Sequence, residues 1–321
     1  MTPEERDASE GRFTSLRQTE LQHRPVHGSF DAAHLREVNR RIFQDLPNIP
    51  GFEDVTLGEF RQPVEAGKDW MKNRALSTVE GSFFVAYSRM DDAAKARLDK
   101  VLEGAKPDEL RDLKTEDFTQ RVGKLYAELD YVHPFQDGNS RTLRTFTSQL
   151  AKEAGYHIDW DRFSRSPAGR DLLYIARDRS VNEIAKPHVQ HPNTVTKIIN
   201  TRDRLEGNRS LPELLRDVVR PSRAIAFEKL PEVEALQRYP ELAPAYKTTR
   251  AAPAYFASKM PGDQEAQKAS VLAAVKHIQT RLDAGETQDF SRVRVQREKE
   301  RQAPQESRDV QATRPGPEHE R

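Results

Sequence analysis

An apolar stripe in the middle of the chain predicts a buried helix whose C-terminal end is fixed by the sequence. Its members recur at helical spacing, and they are Val122, Leu125, Tyr126, Leu129 and Val132. The stripe runs into His133-Pro134, and because proline disfavours helical conformation in the residue before it, the helix should end at His133. A second helix is predicted from about Ser140 or Arg141. A short loop therefore lies between two buried helices.

This loop and the start of the second helix concentrate groups that suit phosphate chemistry. A histidine ends the first helix, an acid follows four residues later, and two residues tolerant of unusual backbone angles come next. The N-terminus of the second helix offers free N–H groups and a positive dipole end to an anion. Two arginines three positions apart project from one face of that helix. In chain order these residues are His133, Asp137, Gly138, Asn139, Arg141 and Arg144.

Each of these residues alone is usually structural. A histidine at a helix end is commonly a cap, two arginines at this spacing commonly form a solvated face, and Asp-Gly-Asn is an ordinary turn. Here all of them occur within twelve consecutive residues. A base, a carboxylate suited to Mg²⁺, a backbone anion nest and two phosphate-binding arginines are the parts needed to transfer a phosphorus-containing group from a nucleotide.

Residues 133–144 resemble the signature of the Fic family, His-Pro-Phe-x-Asp/Glu-Gly-Asn-Gly/Lys-Arg-x-x-Arg. Every fixed position matches except Ser140, where the family usually has Gly or Lys. Residues 28–35, 42–46 and 58–61 are similar to the segments that open a Fic core, so the resemblance covers residues 25 to about 200. Together with the apolar periodicity it implies a mainly α fold, namely a Fic-type helical core with a short β-hairpin flap and a C-terminal helical extension.

The resemblance also implies a reaction, the transfer of AMP from Mg-ATP to a Ser, Thr or Tyr hydroxyl of a target protein. His133 would be the general base, a role for which the ordinary pKa of histidine is suited. Asp137 would hold Mg²⁺ between the nucleotide phosphates. The other motif residues would anchor the loop or bind the nucleotide, and they are Phe135, Gly138, Asn139, Ser140, Arg141 and Arg144.

The flap of a Fic protein holds the target segment by strand addition. Residues 81–87 stand at its place in the sequence and are the best extended segment of the chain. We therefore expect the target to be held by Gly81, Ser82, Phe83, Phe84 and Val85.

Position 140 leaves two alternatives open. If the family glycine has a positive φ there, serine costs roughly 1 kcal/mol of strain, and glycine should raise activity. If the Ser140 hydroxyl instead binds a phosphate oxygen or caps the helix, glycine should lower activity. Doc-type members, which carry Lys here and Ala in place of Gly138, phosphorylate with the nucleotide reversed. Because the chain keeps Gly138-Asn139, the sequence favours AMP transfer over this phosphotransferase alternative.

An alternative from another class rests on residues 180–199, whose pattern resembles a helix-turn-helix with a DNA-recognition helix in its second half. The local charge is mixed rather than basic, and Pro187 would break the first helix. Two ordinary helices that close the core are the simpler interpretation, so we do not expect a nucleic-acid partner.

Composition excludes several protein classes. The 321 residues include no cysteine and carry a formal net charge of +1, which excludes a disulfide framework and gives no field toward nucleic acid or acidic membranes. No apolar run approaches the ~20 residues of a membrane span. The polar N-terminus predicts no secretory leader, so we expect a cytoplasmic protein or one exported into another cell.

The texture of the sequence divides the chain into four parts. We expect a flexible N-terminal arm at 1–24, because it lacks apolar periodicity, and the Fic domain at 25–200. A helical accessory region should follow at 201–290. The last part, 291–321, consists almost entirely of polar and charged residues and should be a disordered tail.

Many Fic enzymes carry an inhibitory helix, Ser/Thr-x-x-x-Glu-Gly/Asn, whose glutamate pairs with the second motif arginine, here Arg144. Glu-Gly occurs four times in the chain, and none of the four has Ser or Thr four residues before the glutamate. An unrestrained enzyme should act as a toxin in the cell that makes it. We therefore expect a small inhibitory, antitoxin-like protein partner, or export. The alternative is a degenerate internal brake, with Glu10 as the first suspect.

Overall fold

The computed structural model describes residues 2–111, 113–287 and 290, which are mainly helical. They divide into two compact units, of which the first ends at Ser222 and the second begins at Arg223. In the first unit, the 3₁₀ helix Leu46–Asn48 accompanies ten helices and four strands. The helices are α1 (Pro3–His23), α2 (Ala32–Phe43), α3 (Asp92–Leu102), α4 (Pro107–Leu110), α5 (Thr115–Val132), α6 (Asn139–Glu153), α7 (Asp161–Ser164), α8 (Pro167–Ala185), α9 (Pro192–Arg204) and α10 (Leu211–Leu215). The strands are β1 (Trp70–Arg74), β2 (Phe83–Tyr87), β3 (Tyr156–Ile158) and β4 (Val219–Pro221).

The second unit is also helical, as the sequence predicts for this region. Its helices are α11 (Ser222–Lys229), which begins at the boundary, α12 (Glu232–Arg238), α13 (Ala243–Lys259) and α14 (Gln264–Asp283), with a 3₁₀ helix at Pro240–Leu242. The core of this unit includes Ala224, Leu242, Tyr246, Ile278 and Leu282. The tail predicted to be disordered, 291–321, lies outside the described residues. Among the helices described, none is long and apolar enough to cross a membrane.

Helices α5 and α6 form the centre of the first unit. The predicted stripe of α5 meets the inward side of α6, and the fully buried residues of this contact are Val122, Tyr126, Leu129, Val132, Leu143, Phe146 and Leu150. The predicted end of α5 is confirmed, since the helix stops at Val132 with His133 as its C-cap. Helix α6 begins at Asn139, one residue before the predicted start. The loop between them is thus held by two buried helices.

The boundary between the two units follows Ser222, whereas the sequence suggested a boundary near residue 200. The intervening stretch belongs to the first unit because its apolar residues fill the same core: Leu211, Leu214 and Leu215 of α10 are buried there. Strand β4 also pairs antiparallel with β3, with Val219 opposite Ile158. Both contacts join elements that are far apart in the sequence, so the local amino-acid composition does not reveal them.

The expectation of a flexible arm at residues 1–24 is wrong, because this segment is helix α1. Thr2 and Glu5 form a reciprocal capping box at its N-terminus. Leu21 is buried against α2, and the Arg17 guanidinium binds the Asp45 carboxylate with its Nε at 2.7 Å. The helix has no apolar stripe and is attached through one leucine and several polar contacts. A search for apolar periodicity therefore misses it.

The flap is an antiparallel hairpin of β1 and β2, in which Trp70 is opposite Tyr87 and Arg74 is opposite Phe83. The edge of β2 that faces away from β1 is covered by side chains from two helices. Asn182 of α8 accepts from the Ala86 N–H at 3.0 Å and donates to the Phe84 carbonyl at 2.9 Å. The Phe84 N–H donates to Thr201 Oγ1 of α9 at 2.8 Å. Strand β2 is therefore internal, and β1 carries the outer edge.

The two helices of the helix-turn-helix alternative are built into the first unit. Helix α8 contributes Leu173 and Ala176 to the main core, and α9 lays its buried residues Thr194, Ile198 and Thr201 against the hairpin and its neighbours. This packing agrees with the interpretation of two helices that close the core.

Replacing Asn182 with alanine should destabilise the first unit. It would leave the Ala86 N–H and the Phe84 carbonyl without their partner on the covered edge of β2, at a cost of about 2 kcal/mol in the free energy of unfolding. Urea denaturation followed by circular dichroism measures the change. Asn200→Ala on the exposed side of α9 is the control and should have little effect. Equal stability of the two variants would contradict the role given to Asn182.

Candidate active site

His133 has a left-handed backbone, with φ 49° and ψ 59°, directly after α5. Its N–H donates to the Leu129 carbonyl at 3.1 Å, which closes the last turn of the helix. The buried Arg61 guanidinium holds the turned chain, since its Nε donates to the His133 carbonyl at 2.7 Å and its Nη2 to the Ser88 carbonyl at 2.6 Å. A cation is favoured at the C-terminus of a helix. Arg61 therefore fixes the point at which the histidine leaves α5.

The imidazole of His133 is buried against aromatic side chains of the hairpin. Its ring centroid lies 3.8 Å from that of Tyr87 and 5.6 Å from that of Trp70. Neither ring nitrogen has a hydrogen-bond partner among the described residues, although Asp130 Oδ1 lies 3.7 Å from Nδ1. Burial lowers the pKa of His133 to about 4, and the Asp130 carboxylate opposes this shift. The pKa therefore does not keep the ordinary value that the sequence suggested. The ring is neutral at pH 7, with a lone pair that can accept a proton.

Asp130 is itself buried and paired with Arg177 of α8. The Arg177 Nε and Nη2 atoms both donate to Asp130 Oδ2, at 3.0 and 2.8 Å, and Nη2 also donates to Oδ1 at 3.0 Å. Burial by itself would raise the pKa of Asp130, but the Arg177 and His133 side chains hold that pKa at about 2. A carboxylate therefore faces the imidazole across the whole physiological pH range.

The loop after His133 is closed by the side chain of Asn139. Its Oδ1 accepts from the Phe135 N–H at 2.9 Å, and its Nδ2 donates to the Phe135 carbonyl at 2.7 Å. Asn139 is buried, so its amide shapes the loop, whereas the resemblance implied a direct contact with a phosphate. Phe135 is buried, and its ring centroid lies 5.6 Å from that of Phe60.

Gly138 is the N-cap of α6 and has a φ of 73°, in the left-handed region. A Cβ at this position would lie 2.0 Å from Cζ of Phe43, the last residue of α2. Glycine is therefore required here both for its backbone angle and for the close approach of the phenyl ring. The first turn of α6 is left open to solvent on its other side, where Gly138, Ser140 and Arg141 are partly exposed.

Asp137 lies at the exposed tip of the loop. A single carboxylate in this position fits Mg²⁺, which proteins usually hold through one or two carboxylates together with substrate phosphates. Within the described residues no group of three or more metal-binding side chains occurs. Lys72 of β1 is near, since burial lowers the pKa of Lys72 and the Asp137 carboxylate opposes that shift.

The two motif arginines differ in their partners. Arg141 is engaged by α1: its Nη2 lies 2.5 Å from Glu10 Oε1, and its Nη1 donates to Thr14 Oγ1 at 3.0 Å. Arg144 donates from Nε to the Ser140 carbonyl at 3.3 Å and makes no ion pair with any described residue. Arg144 can therefore take a phosphate directly, whereas Arg141 must first lose its contact with α1.

Ser140 is in the first turn of α6 and is not among the described residues with a positive φ, so the strain alternative does not apply. Its Oγ accepts a hydrogen bond from Arg177 Nη1 at 2.9 Å. The hydroxyl of the fully buried Tyr126 is also beside Ser140. The serine oxygen can accept from both Arg177 and Tyr126, which leaves its own hydrogen for an acceptor in the loop.

The predicted flap residues occupy the turn and the internal strand of the hairpin. Gly81 and Ser82 precede β2, and the Arg204 guanidinium lies against Gly81. Phe83 and Val85 are fully buried, and Phe84 is tied to Asn182 and Thr201. Both strands contact the His133 ring, β2 through Tyr87 and the outer strand β1 through Trp70.

Residues 29–151 match the model of the Fic/DOC family. These residues form a Fic/DOC domain. The Fic domain includes the whole loop, both motif arginines and the hairpin. Two partners of the site lie outside the matched range: Glu10 comes from α1 before it, and Arg177 comes from α8 after it.

Curated relatives of the chain are named protein adenylyltransferases. Protein adenylyltransferase VbhT of Bartonella schoenbuchensis is 33% identical over 162 residues, which are 50% of this chain and 29% of that protein. A protein adenylyltransferase of Bartonella henselae is 26% identical over 136 residues, which are 42% of this chain and 24% of that protein. The chain thus matches less than a third of the length of either relative.

Solved structures similar to this one are Fic domains of Bartonella effectors. The BepC protein of Bartonella tribocorum with bound AMPPNP has a TM-score of 0.45 at 15% identity, covering 68% of this chain and 89% of that one. An N-terminal Fic domain from Bartonella quintana with bound ADP has a TM-score of 0.44 at 19% identity, covering 70% of this chain and 89% of that one.

Sequence reasoning missed four side chains that surround or support His133, namely Arg61, Trp70, Asp130 and Arg177. A signal was present for the buried pair. Asp130 interrupts the apolar face of α5 three residues before His133, and a buried acid requires a cation as partner. The sequence did not show which of its many arginines that partner is.

Replacing Gly138 with alanine should disrupt the loop. The new Cβ would overlap with Phe43 and occupy the left-handed region, at a combined cost of about 3 kcal/mol or more in the free energy of unfolding. Gly155→Ala is a matched control, because Gly155 has a φ of 82° and no atom lies within 4 Å of the place that its new methyl group would take. That variant should lose only about 1 kcal/mol. Chemical denaturation compares the two, and equal losses would refute the close contact with Phe43.

Proposed function

We propose that the chain is a protein adenylyltransferase, which transfers AMP from ATP to a Ser, Thr or Tyr hydroxyl of a target protein. The observation that carries this proposal is the neutral, buried imidazole of His133 beside an anion-binding loop with two arginines. The similarity to proteins named adenylyltransferases supports the same reaction.

The residues of the site divide the work of this reaction. His133 takes the proton of the target hydroxyl, and the hydroxyl oxygen forms a bond to the α-phosphorus of ATP. The bond between the α-phosphorus and the oxygen that bridges it to the β-phosphate breaks, and pyrophosphate leaves. The N-terminus of α6 and the two arginines stabilise the phosphate charges. Asp137 would hold Mg²⁺, which supplies further charge neutralisation on the phosphates when it is bound.

The target segment is proposed to dock on β1. The described residues provide no backbone partner for its outer edge, whereas β2 is covered by Asn182 and Thr201. An extended segment added at β1 would pass Trp70, whose ring contacts His133. The proposed docking strand is therefore β1, residues 70–74, and not residues 81–85 as the sequence suggested.

Helix α1 is proposed to restrain the enzyme in cis. Glu10 occupies Arg141, a side chain expected at the β- and γ-phosphates, so a nucleotide must compete with a carboxylate for it. This observation favours the internal brake with Glu10, although the pairing is with Arg141 and not with Arg144. A separate inhibitory protein, with export into another cell as a further possibility, remains the alternative proposal.

Incubation with a cell lysate and ATP labelled at the α-phosphate should label a protein band. His133→Ala should lower the labelling roughly 100-fold or more by removing the base, and Asp137→Ala should abolish it by removing the metal ligand. His157→Ala, at an exposed position of β3, is the control and should label as the unmodified protein does. Label that comes only from γ-labelled ATP would mean phosphotransfer and would refute the proposal.

Replacing Glu10 with alanine should raise the labelling rate by about fivefold or more, the change expected when an interaction of about 1 kcal/mol is lost. Expression of this variant should be more toxic to a bacterium than expression of the unmodified chain. Glu4→Ala, at an exposed position of the same helix, is the matched control. If the unmodified chain is as toxic as the Glu10 variant, the restraint comes from a separate protein.

A further inference from the structure

Arg177 joins two parts of the site that come from different helices. From α8 its guanidinium reaches Asp130 on α5, with three contacts of 2.8–3.0 Å, and Ser140 in the first turn of α6, at 2.9 Å. Only about 2% of its side chain is exposed, so these contacts are shielded from water. A guanidinium can only donate hydrogen bonds, and this fixes what each partner does.

On the α5 side, the consequence concerns which ring nitrogen of His133 carries the proton. Asp130 is ionised and can only accept, so the nitrogen that faces it, Nδ1, carries the hydrogen and Nε2 keeps the lone pair. The 3.7 Å between Asp130 Oδ1 and Nδ1 exceeds a hydrogen bond, but contacts at a catalytic base are often long before substrate is bound. The other groups facing the ring are Lys72 and Arg61, which are cations, and the Tyr87 hydroxyphenyl ring.

On the α6 side, the consequence concerns the direction of the Ser140 hydroxyl. Its oxygen accepts from Arg177, and the hydroxyl of the fully buried Tyr126 lies beside it as well. A serine oxygen has two lone pairs, so with Tyr126 donating to the second one the Ser140 hydrogen points to another acceptor. Ser140 is partly exposed in the first turn of α6, where the free N–H groups of the helix already favour an anion. A phosphate oxygen is the acceptor that suits this place.

We propose that Arg177 is a positioning residue that couples the base to the phosphate loop: through Asp130 it holds His133 in the Nδ1–H tautomer, and through Ser140 it supplies a hydroxyl donor to the nucleotide. The catalytic use of this coupling rests on the proposed adenylyl transfer. The tautomer and the hydroxyl contact do not, and they can be measured separately.

The first measurement is the tautomer of His133 by long-range ¹H–¹⁵N correlation on protein labelled with ¹⁵N-histidine, with His133→Ala to assign the signal. The unmodified chain should show Nδ1–H at pH 7. In Asp130→Asn the amide oxygen turns to Arg177, and the amide N–H then faces Nδ1, so the signal should change to the Nε2–H form. Glu128→Gln is the matched control, since Glu128 lies on the same helix and pairs with Arg97 away from the site. An Nε2–H signal in the unmodified chain would overturn the proposal.

The second measurement is a double-variant cycle on the dissociation constant of Mg-AMPPNP, followed by calorimetry. Ser140→Ala should weaken binding roughly 10-fold, as expected for a hydrogen bond to a charged group. Arg177→Lys keeps the positive charge beside Asp130, but the lysine side chain should no longer reach Ser140. As a single variant it should therefore weaken binding, whereas in the double variant it should weaken binding little beyond the effect of Ser140→Ala. Equal effects of Arg177→Lys with and without Ser140→Ala would refute the contact.

These results separate the inference from the proposed function. Labelling that is absent while the Nδ1–H tautomer and the non-additive cycle are present would reject adenylyl transfer and keep the positioning role. If Asp130→Asn fails to fold, the tautomer of His133 in the unmodified chain still tests the part of the proposal that concerns His133. The contact with Ser140 is still tested by Ser140→Ala, at a partly exposed position, and by Arg177→Lys. Labelling with an Nε2–H imidazole would keep the function and reject the inference.

Discussion

The turn of the backbone at His133 is the constraint on which the rest of the site depends. If α5 continued past Val132, the imidazole of His133 would point in a different direction around the helix axis. Pro134 prevents this continuation. The left-handed conformation before the proline costs roughly 1 kcal/mol, which Arg61 offsets by donating to the His133 carbonyl. The same guanidinium lies 3.4 Å from the centroid of Trp70 on β1. One side chain therefore fixes both the base and the hairpin that covers it.

The two helices and the loop between them could be predicted because their signals are local. The spacing of apolar residues indicated α5, Pro134 indicated its end, and the predicted start of α6, at about Ser140 or Arg141, is within two residues of the observed one at Asn139. Helix α1 and strand β1 could not be predicted in this way. The first has no apolar stripe, and the second, Trp-Met-Lys-Asn-Arg, is mostly polar and only partly buried.

The partners of the site residues could not be predicted because they come from distant parts of the chain. Ser140 departs from the family pattern and led to two opposite expectations. The backbone at Ser140 removes the strain alternative, and the partner of its hydroxyl, Arg177, lies 37 residues later in the chain. The motif also does not show that the Asn139 amide binds the backbone of the loop. Nor does it show that position 138 requires glycine because Phe43 of α2 lies against it. A motif therefore identified the groups, and the packing of α1, α2 and α8 decided what each of them does.

The charges of the site bear on the proposed restraint by α1. Arg61 donates to carbonyls and Arg177 to Asp130, so both cations are used to hold the base in place. The charge available to a polyanion then comes from Arg144 and Lys72, and from Arg141 only when α1 releases it.

Release of Arg141 requires more than the displacement of one carboxylate. Thr14, one turn after Glu10, binds the same guanidinium, and Leu21 fixes the end of α1 against α2. Phosphate oxygens that replaced Glu10 alone would still leave Arg141 held by the Thr14 hydroxyl. Because the contacts between α1 and α6 are polar and partly exposed while Leu21 is buried, α1 can separate from the loop most easily by pivoting about its C-terminal end. The proposed restraint therefore depends on the helix as a whole and not on Glu10 alone.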